Sequence, residues 1–314
     1  MSNISASLVK ELRDKTGAGM MDCKNALNEN NGDIESSIDW LRTKGLAKAA
    51  KKSGRVASEG LIAVSSSDDF SAIIEVNSET DFVARNDIFQ NVASKISSLG
   101  LMSSSIDDLK EQNIDEKDMN VESYITEMIS SIGENINLRR MTRFDSSNSN
   151  VSTYIHGQVN EGLGKIGVMV NLKSDLEKQA LGELGKKIAM HIAATNPLSI
   201  SVENIPSDVL ERERNILIEE ARESGKPEEI IEKMIDGRLK KFYQESVLLE
   251  QTYVIDGESK ISSVLQSLGS PVEIIEFVRY ELGEGIEKAS DEDFASEVDS
   301  MAVSYTHLTL PTKA

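Results

Sequence analysis

The chain has 314 residues, 39% hydrophobic and 28% charged, an ordinary globular balance that fits two or three packed units. A formal charge of −19 at pH 7 and an isoelectric point near 4.7 exclude a surface built for nonspecific nucleic-acid or anionic-membrane binding, though not a local basic patch. No run of 18 apolar residues occurs and the opening "MSNISASLVKELRDK" has no apolar signal core, so a cytosolic protein without a membrane span is expected.

The single cysteine, Cys23, rules out an intrachain disulfide and a cysteine-based zinc site, and reads best as a small buried hydrophobe. The three histidines, His156, His191 and His307, show no metal-ligand spacing.

The first unit, 1–56, is expected to hold three helices and a basic linker. Leu8, Val9 and Leu12 share one face of a helix that stops at Gly17, and a second helix stops at Gly32. Asp33 is placed to cap a third, in which Ile34, Ile38 and Leu41 recur at i, i+4, i+7. So small a unit has a marginal core, which suits a docking piece. The stretch Arg42–Arg55 then carries six basic residues and no acid. It fits either a solvated linker-helix or a contact strip for an acidic partner.

A second unit, 57–143, opens with two short β-branched runs around "SSSDD", a hairpin pattern. Phe89, Val92, Ile96 and Leu99 predict a helix with one buried face, and "SIDDLKEQNI" and "VESYITEMISSI" predict two more. "ENINLRRMTRF" reads as extended. Between hairpin and helix lies "NSETDFVARND", with Phe82 on a corner among acids and amides. Locally it fits a staple tucked into the core as well as a tool aimed at a partner.

The third unit, 144–282, repeats the plan: "VSTYIHGQVN" and "KIGVMVNLK" form a hairpin pattern with Ile166, Val168, Val170 and Leu172 on one face. Leu181, Leu184, Ile188 and Ile192 follow in helical register. Two subdomains of strand, strand, helix are therefore expected. Inserted at about 207–242 are two helices joined by "SGKP", where Gly225 suits a left-handed cap and Pro227 a first helical turn. About 16 residues each, they would project ~25 Å as an antiparallel arm. Its expected stripes are Val209, Ile216 and Leu217 against Ile230, Met234, Ile235 and Phe242. "VEIIEFVRYEL" reads as a strand, and a last amphipathic helix completes a C-terminal module at 283–302. The tail 303–314 continues no pattern and reads as non-native adapter read-through.

No catalytic pattern assembles. "GLGKIG" matches GxGxxG at Gly162, Gly164 and Gly167, but a strand follows it rather than a helix, so a hairpin turn and close strand approach explain it. Phosphate-loop, nucleophile-elbow and Cys/His patterns are missing from the sequence, which points away from an enzyme.

Taken in order, "SLVKELRDKTGAGMMDCKNAL", "NGDIESSIDWLR", "EVNSETDFVARND", "IGENINLRR", "MHIAA", "SGKPEEIIEKMIDGRLKKF" and "GEGIEK" resemble the bacterial elongation factor Ts family across residues 1 to about 302. The resemblance implies an α+β fold. A ubiquitin-associated-like three-helix domain precedes a two-subdomain core with antiparallel sheets, a protruding helical hairpin and a C-terminal helical module. It also implies a guanine-nucleotide exchange factor for elongation factor Tu that needs no cofactor and holds no metal, GDP and Mg²⁺ being bound by the partner. The family's exchange motif falls on Thr80, Asp81, Phe82 and Val83, its Phe entering the GTPase and weakening the hold on Mg²⁺. Lys24 would help dock the N-terminal domain, Ile132, Gly133 and His156 would line the core contact, and Val254 with Ile255 would serve the second core face. No membrane and no direct nucleic-acid contact are implied. The alternative is a docking protein for RNA or ribosome that uses the basic strip without exchange activity.

Overall fold

A computed structural model describes residues 4–16, 18–114, 119–223 and 228–287. Three helices come first: α1 (Ala6–Thr16), α2 (Met20–Glu29) and α3 (Ile34–Lys52). Val9, Leu12, Cys23, Ala26 and Leu27 form their buried centre, with Ile34, Ile38 and Leu41 packed on it. Cys23 is thus the buried hydrophobe expected. Asn31 and Gly32 both turn left-handed between α2 and α3, and Asp33 caps α3 by accepting from the Ser36 N–H at 2.8 Å. The basic stretch is no separate linker: α3 runs through it to Lys52, as its Ala- and Lys-rich composition favours.

The first sheet is built on the hairpin of β1 (Glu59–Ser66) and β2 (Phe70–Ser78). After it come α4 (Asp81–Ala84), α5 (Asp87–Gly100), α6 (Ile106–Glu111), the two-residue strands β3 (Asn113–Ile114) and β4 (Met119–Asn120), α7 (Val121–Ile132) and β5 (Ile136–Asp145). β5 pairs antiparallel with β2. The opposite edge, beside β1, is covered by the two-residue β7 (Leu163–Gly164), giving the order β5-β2-β1-β7. Leu61, Ala63, Ile74 and Val76 on one face meet Phe89, Val92 and Ile96 of α5 and Met128 of α7.

The second sheet has the order β6 (Asn150–His156), β8 (Ile166–Ser174), β9 (Val272–Glu281), all antiparallel. Val168, Val170 and Leu172 pack on Leu181, Ile188 and Ile192 of α8 (Lys178–Thr195). The alternate face sends Met169 and Tyr280 against Ile62, Ile73 and Phe144 of the first sheet. The two sheets therefore share a core, with helices on their outer faces. This contact explains "GLGKIG": a Cβ on Gly167 would lie 2.6 Å from Ile62 Cγ2, and one on Gly164 2.4 Å from Ile155 Cγ2.

The arm is α9 (Ser207–Glu223) and α10 (Glu228–Ser246); the "SGKP" turn lies outside the described residues. Ile231 and Ile235 are buried in its seam, with Ile218 and Leu239 packed beside them, and Leu217 is buried as well. The expected stripes were one residue out of phase in part: Ile216 and Ile230 face solvent. The chain re-enters the core where the Leu198 N–H donates to Ser246 O at 2.7 Å. It continues through the short helix α11 (Ile261–Gln266) into β9. The expected C-terminal helix and the tail 303–314 lie outside the described residues. The fold is α+β, with N-terminal helices ahead of a two-sheet core.

Candidate docking corner

Between the last residue of β2 and the first of α5 the chain makes one helical turn, α4, which holds Asp81, Phe82 and Val83. Four residues are too few for an apolar period, and the turn divides its side chains by direction. Val83 and Ala84 are buried in the first core. Phe82 points the other way and is 76% exposed. The core-staple alternative for this ring is thereby excluded.

Several bonds brace the turn. Asp81 pairs with Arg85 at 2.7 Å, one turn later on the same face. Asn86 accepts from the Ile88 N–H at 2.8 Å and so starts α5. Thr80 stands at the N-cap of α4 but does not cap it with its side chain. Its hydroxyl donates to Glu134 Oε1 at 2.6 Å and its N–H donates to Glu134 Oε2 at 3.0 Å. On the adjoining residue, Glu79 Oε1 accepts from the Asn135 N–H at 2.5 Å and Glu79 Oε2 pairs with Arg55 at 3.4 Å. Asn135 Nδ2 donates to Arg55 O at 2.7 Å. Nothing in the sequence alone pointed to Glu134, Glu79 and Asn135. Glu134 and Asn135 do lie in "IGENINLRR", but a bond spanning 54 residues leaves no local pattern.

Gly133 ends α7 in the left-handed region, φ +92°, and Lys52 donates to its carbonyl. A cation on the C-terminus of a helix is favoured by the helix dipole. The end of α3 is therefore tied to the same corner. Of the basic strip, Lys52 is engaged here, Lys48 pairs with Asp22 at 2.9 Å and Arg55 with Glu79.

Thr16, Phe82, Val83, Asn86, Ile88, Tyr124, Met128 and Ile132 line an open groove of about 550 Å³. Thr80–Val83, Ile132 and Gly133 are thus brought to one corner. The remaining candidates stand on other elements. Lys24 is exposed on α2 and His156 exposed at the end of β6. Val254 and Ile255 project, each nearly half exposed, from the turn before α11. That turn is held from beneath. The Val254 N–H donates to His191 Nδ1 at 3.3 Å, and His191 Nε2 lies 2.9 Å from Gln251 Oε1. Burial pushes the His191 imidazole below its ordinary pKa, with the Gln251 bond opposing in part, so the neutral ring can accept at Nδ1.

The described chain has no helix long and apolar enough to cross a membrane, and no group of three metal-ligating side chains among the described residues. An apolar ring on a braced, solvent-facing turn beside a partly apolar groove is an arrangement suited to docking into another macromolecule. By fold the chain is an α+β protein with N-terminal helices and an exposed apolar corner. A family model described as Elongation factor TS matches residues 79–284. Elongation factor Ts of Rhodospirillum centenum is 52% identical over 307 residues, covering 96% of this chain and 100% of that protein. That of Parvibaculum lavamentivorans is 52% identical over 307 residues, with 96% and 99% coverage, and that of Rhodospirillum rubrum 51% over 304. The chain belongs to the elongation factor Ts family of translation elongation factors.

Proposed function

We propose that this factor binds elongation factor Tu·GDP and promotes GDP release, with Thr80–Val83 as the element that disturbs the partner's Mg²⁺ site. The observation that carries this reading is the outward Phe82 on its braced turn. Mg²⁺ neutralises phosphate charge in the partner, so favouring the state with a distorted Mg²⁺ site weakens the nucleotide. By linkage, bound nucleotide weakens the factor's hold equally. A thousandfold shift corresponds to about 4 kcal/mol. Burying one Phe supplies roughly 1.5–3 kcal/mol. Phe82 therefore acts with a wider surface, to which Lys24, Ile132, Gly133, His156, Val254 and Ile255 belong in this reading. Val83 serves as the anchor that fixes Phe82 rather than as a broad contact. The unit 1–56, the joined core units 57–143 and 144–282, and the module 283–302 are read as contributing to docking on the partner, acting in the cytoplasm. The factor makes and breaks no bond, and the partner supplies GDP and Mg²⁺.

The RNA- or ribosome-docking alternative has less support, because Lys48, Lys52 and Arg55 of the basic strip already serve contacts within the chain. The test is GDP release from purified elongation factor Tu. Phe82→Ala is expected to slow factor-stimulated release about ten- to a hundredfold, the equivalent of the lost burial. Unchanged release would remove Phe82 from the mechanism.

A further inference from the structure

We propose that Glu134 is a positioning residue that sets the direction of Phe82, an inference that rests on the exchange reading above. The β2–β5 ladder ends at the pair Ser78 and Ile136. Beyond it the two strands part, and the next backbone N–H groups have no ladder carbonyl opposite. Carboxylates take that place in both directions: Glu79 accepts from the Asn135 N–H, and Glu134 from the Thr80 N–H. Glu134 does more than close the ladder. Its second oxygen takes the Thr80 hydroxyl at 2.6 Å, so both oxygens are spent on one residue. Ser78 Oγ donates to Thr80 O at 3.0 Å, which leaves the N–H, O–H and C=O of Thr80 all engaged. Bonds to a carboxylate are shorter and stronger than neutral ones.

Thr80 is the residue from which α4 starts, and Phe82 follows two positions later. A ring 76% exposed takes little direction from core packing. Its presentation is inherited from the backbone on either side, fixed after the ring by the buried Val83 and before it by Thr80, which Glu134 holds. Loss of the carboxylate frees the cap, and the ring must then be ordered during docking rather than beforehand. Gly133 makes the geometry available, because its left-handed conformation turns the chain at the end of α7 just ahead of Glu134.

The experiment measures GDP release from elongation factor Tu as a function of factor concentration for the full chain. Glu134→Ala is expected to lower the maximal rate about tenfold, with the half-saturating concentration changed by less than about twofold. Glu134→Gln, whose amide still accepts from the Thr80 N–H, restores most of the rate. Combining Glu134→Ala with Phe82→Ala is expected to be no slower than Phe82→Ala alone, since one acts through the other. If Phe82→Ala is slow while Glu134→Ala is not, or if the two losses multiply, the positioning role is wrong and the exchange reading stands. If neither substitution slows release, Phe82 has no part in the mechanism and the positioning role falls with it. Should Glu134→Ala not fold, Thr80→Val removes the hydroxyl bond alone; a wild-type rate for it overturns the proposal, and a loss of about threefold supports it.

Discussion

Glu75 stands in the middle of β2 with its side chain sealed from solvent. It receives Arg139 on both oxygens at 3.1 Å, Arg140 Nε at 2.5 Å, Asn77 Nδ2 at 2.9 Å and the Gly283 N–H at 2.8 Å. Arg140 also lies over the Tyr280 ring at 4.1 Å and donates to Glu281 O. One carboxylate thus joins the first sheet to the end of β9. Truncating one member of a buried ionic group strands the others, so Glu75→Ala is expected to cost about 3–5 kcal/mol in denaturant unfolding. Burial pushes the Glu75 carboxyl up, but the bonds from Asn77, Gly283 and Arg140 outweigh it and hold the pKa below the ordinary value. A depressed carboxyl contributes stability that is present above the unfolded pKa of about 4.3 and lost as pH falls through the folded one. Unfolding free energies should therefore fall more steeply for wild type than for Glu75→Gln as pH drops below about 4.5. Parallel curves would show that the carboxyl is not held down.

At the scale of elements, the contact between the sheets depends on β8 presenting a glycine where Ile62 and Ile73 lie above it. Gly167→Val should overpack that layer and cost about 1–3 kcal/mol, read as a lowered denaturant midpoint. The sequence announces such elements unevenly. α5, α7 and α8 are legible because each has one buried face and an apolar residue every third or fourth position. β1 and β2 are legible as a hairpin from the Ser/Asp turn, yet alternation cannot say which face is inward, since both faces of the strands are covered. The phase of the arm is blurred because Ile216, Leu217 and Ile218 are consecutive and only the packed partner selects among them. At the docking corner the motif residues are legible through resemblance to a family. Their brace is not, because Glu134 meets Thr80 only after β2 and β5 have paired.

For the whole molecule, the arm is a test of independence. Its apolar seam of Ile218, Ile231, Ile235 and Leu239 is internal to α9 and α10. Replacing residues 209–243 by a short Gly-Ser linker should leave the thermal midpoint of the core within about 3 °C, measured by circular dichroism. A larger drop would mean that the arm supports the core. Dependence of the opposite kind governs the first sheet. Among the described residues its outer edge is covered by Gly162, whose carbonyl accepts from the Val64 N–H at 2.8 Å, and by Leu163 and Gly164, which pair with Ala63 and Ile62 from far along the chain. On a ribosome that edge is made roughly 100 residues before its cover, on the order of 5–20 s at ~5–20 residues per second. For that interval β1 offers unpaired N–H and C=O groups along an apolar strand, the surface that recruits stray strands. The nascent protein therefore passes through a window of vulnerability to aggregation that closes only as residues 162–164 reach the sheet.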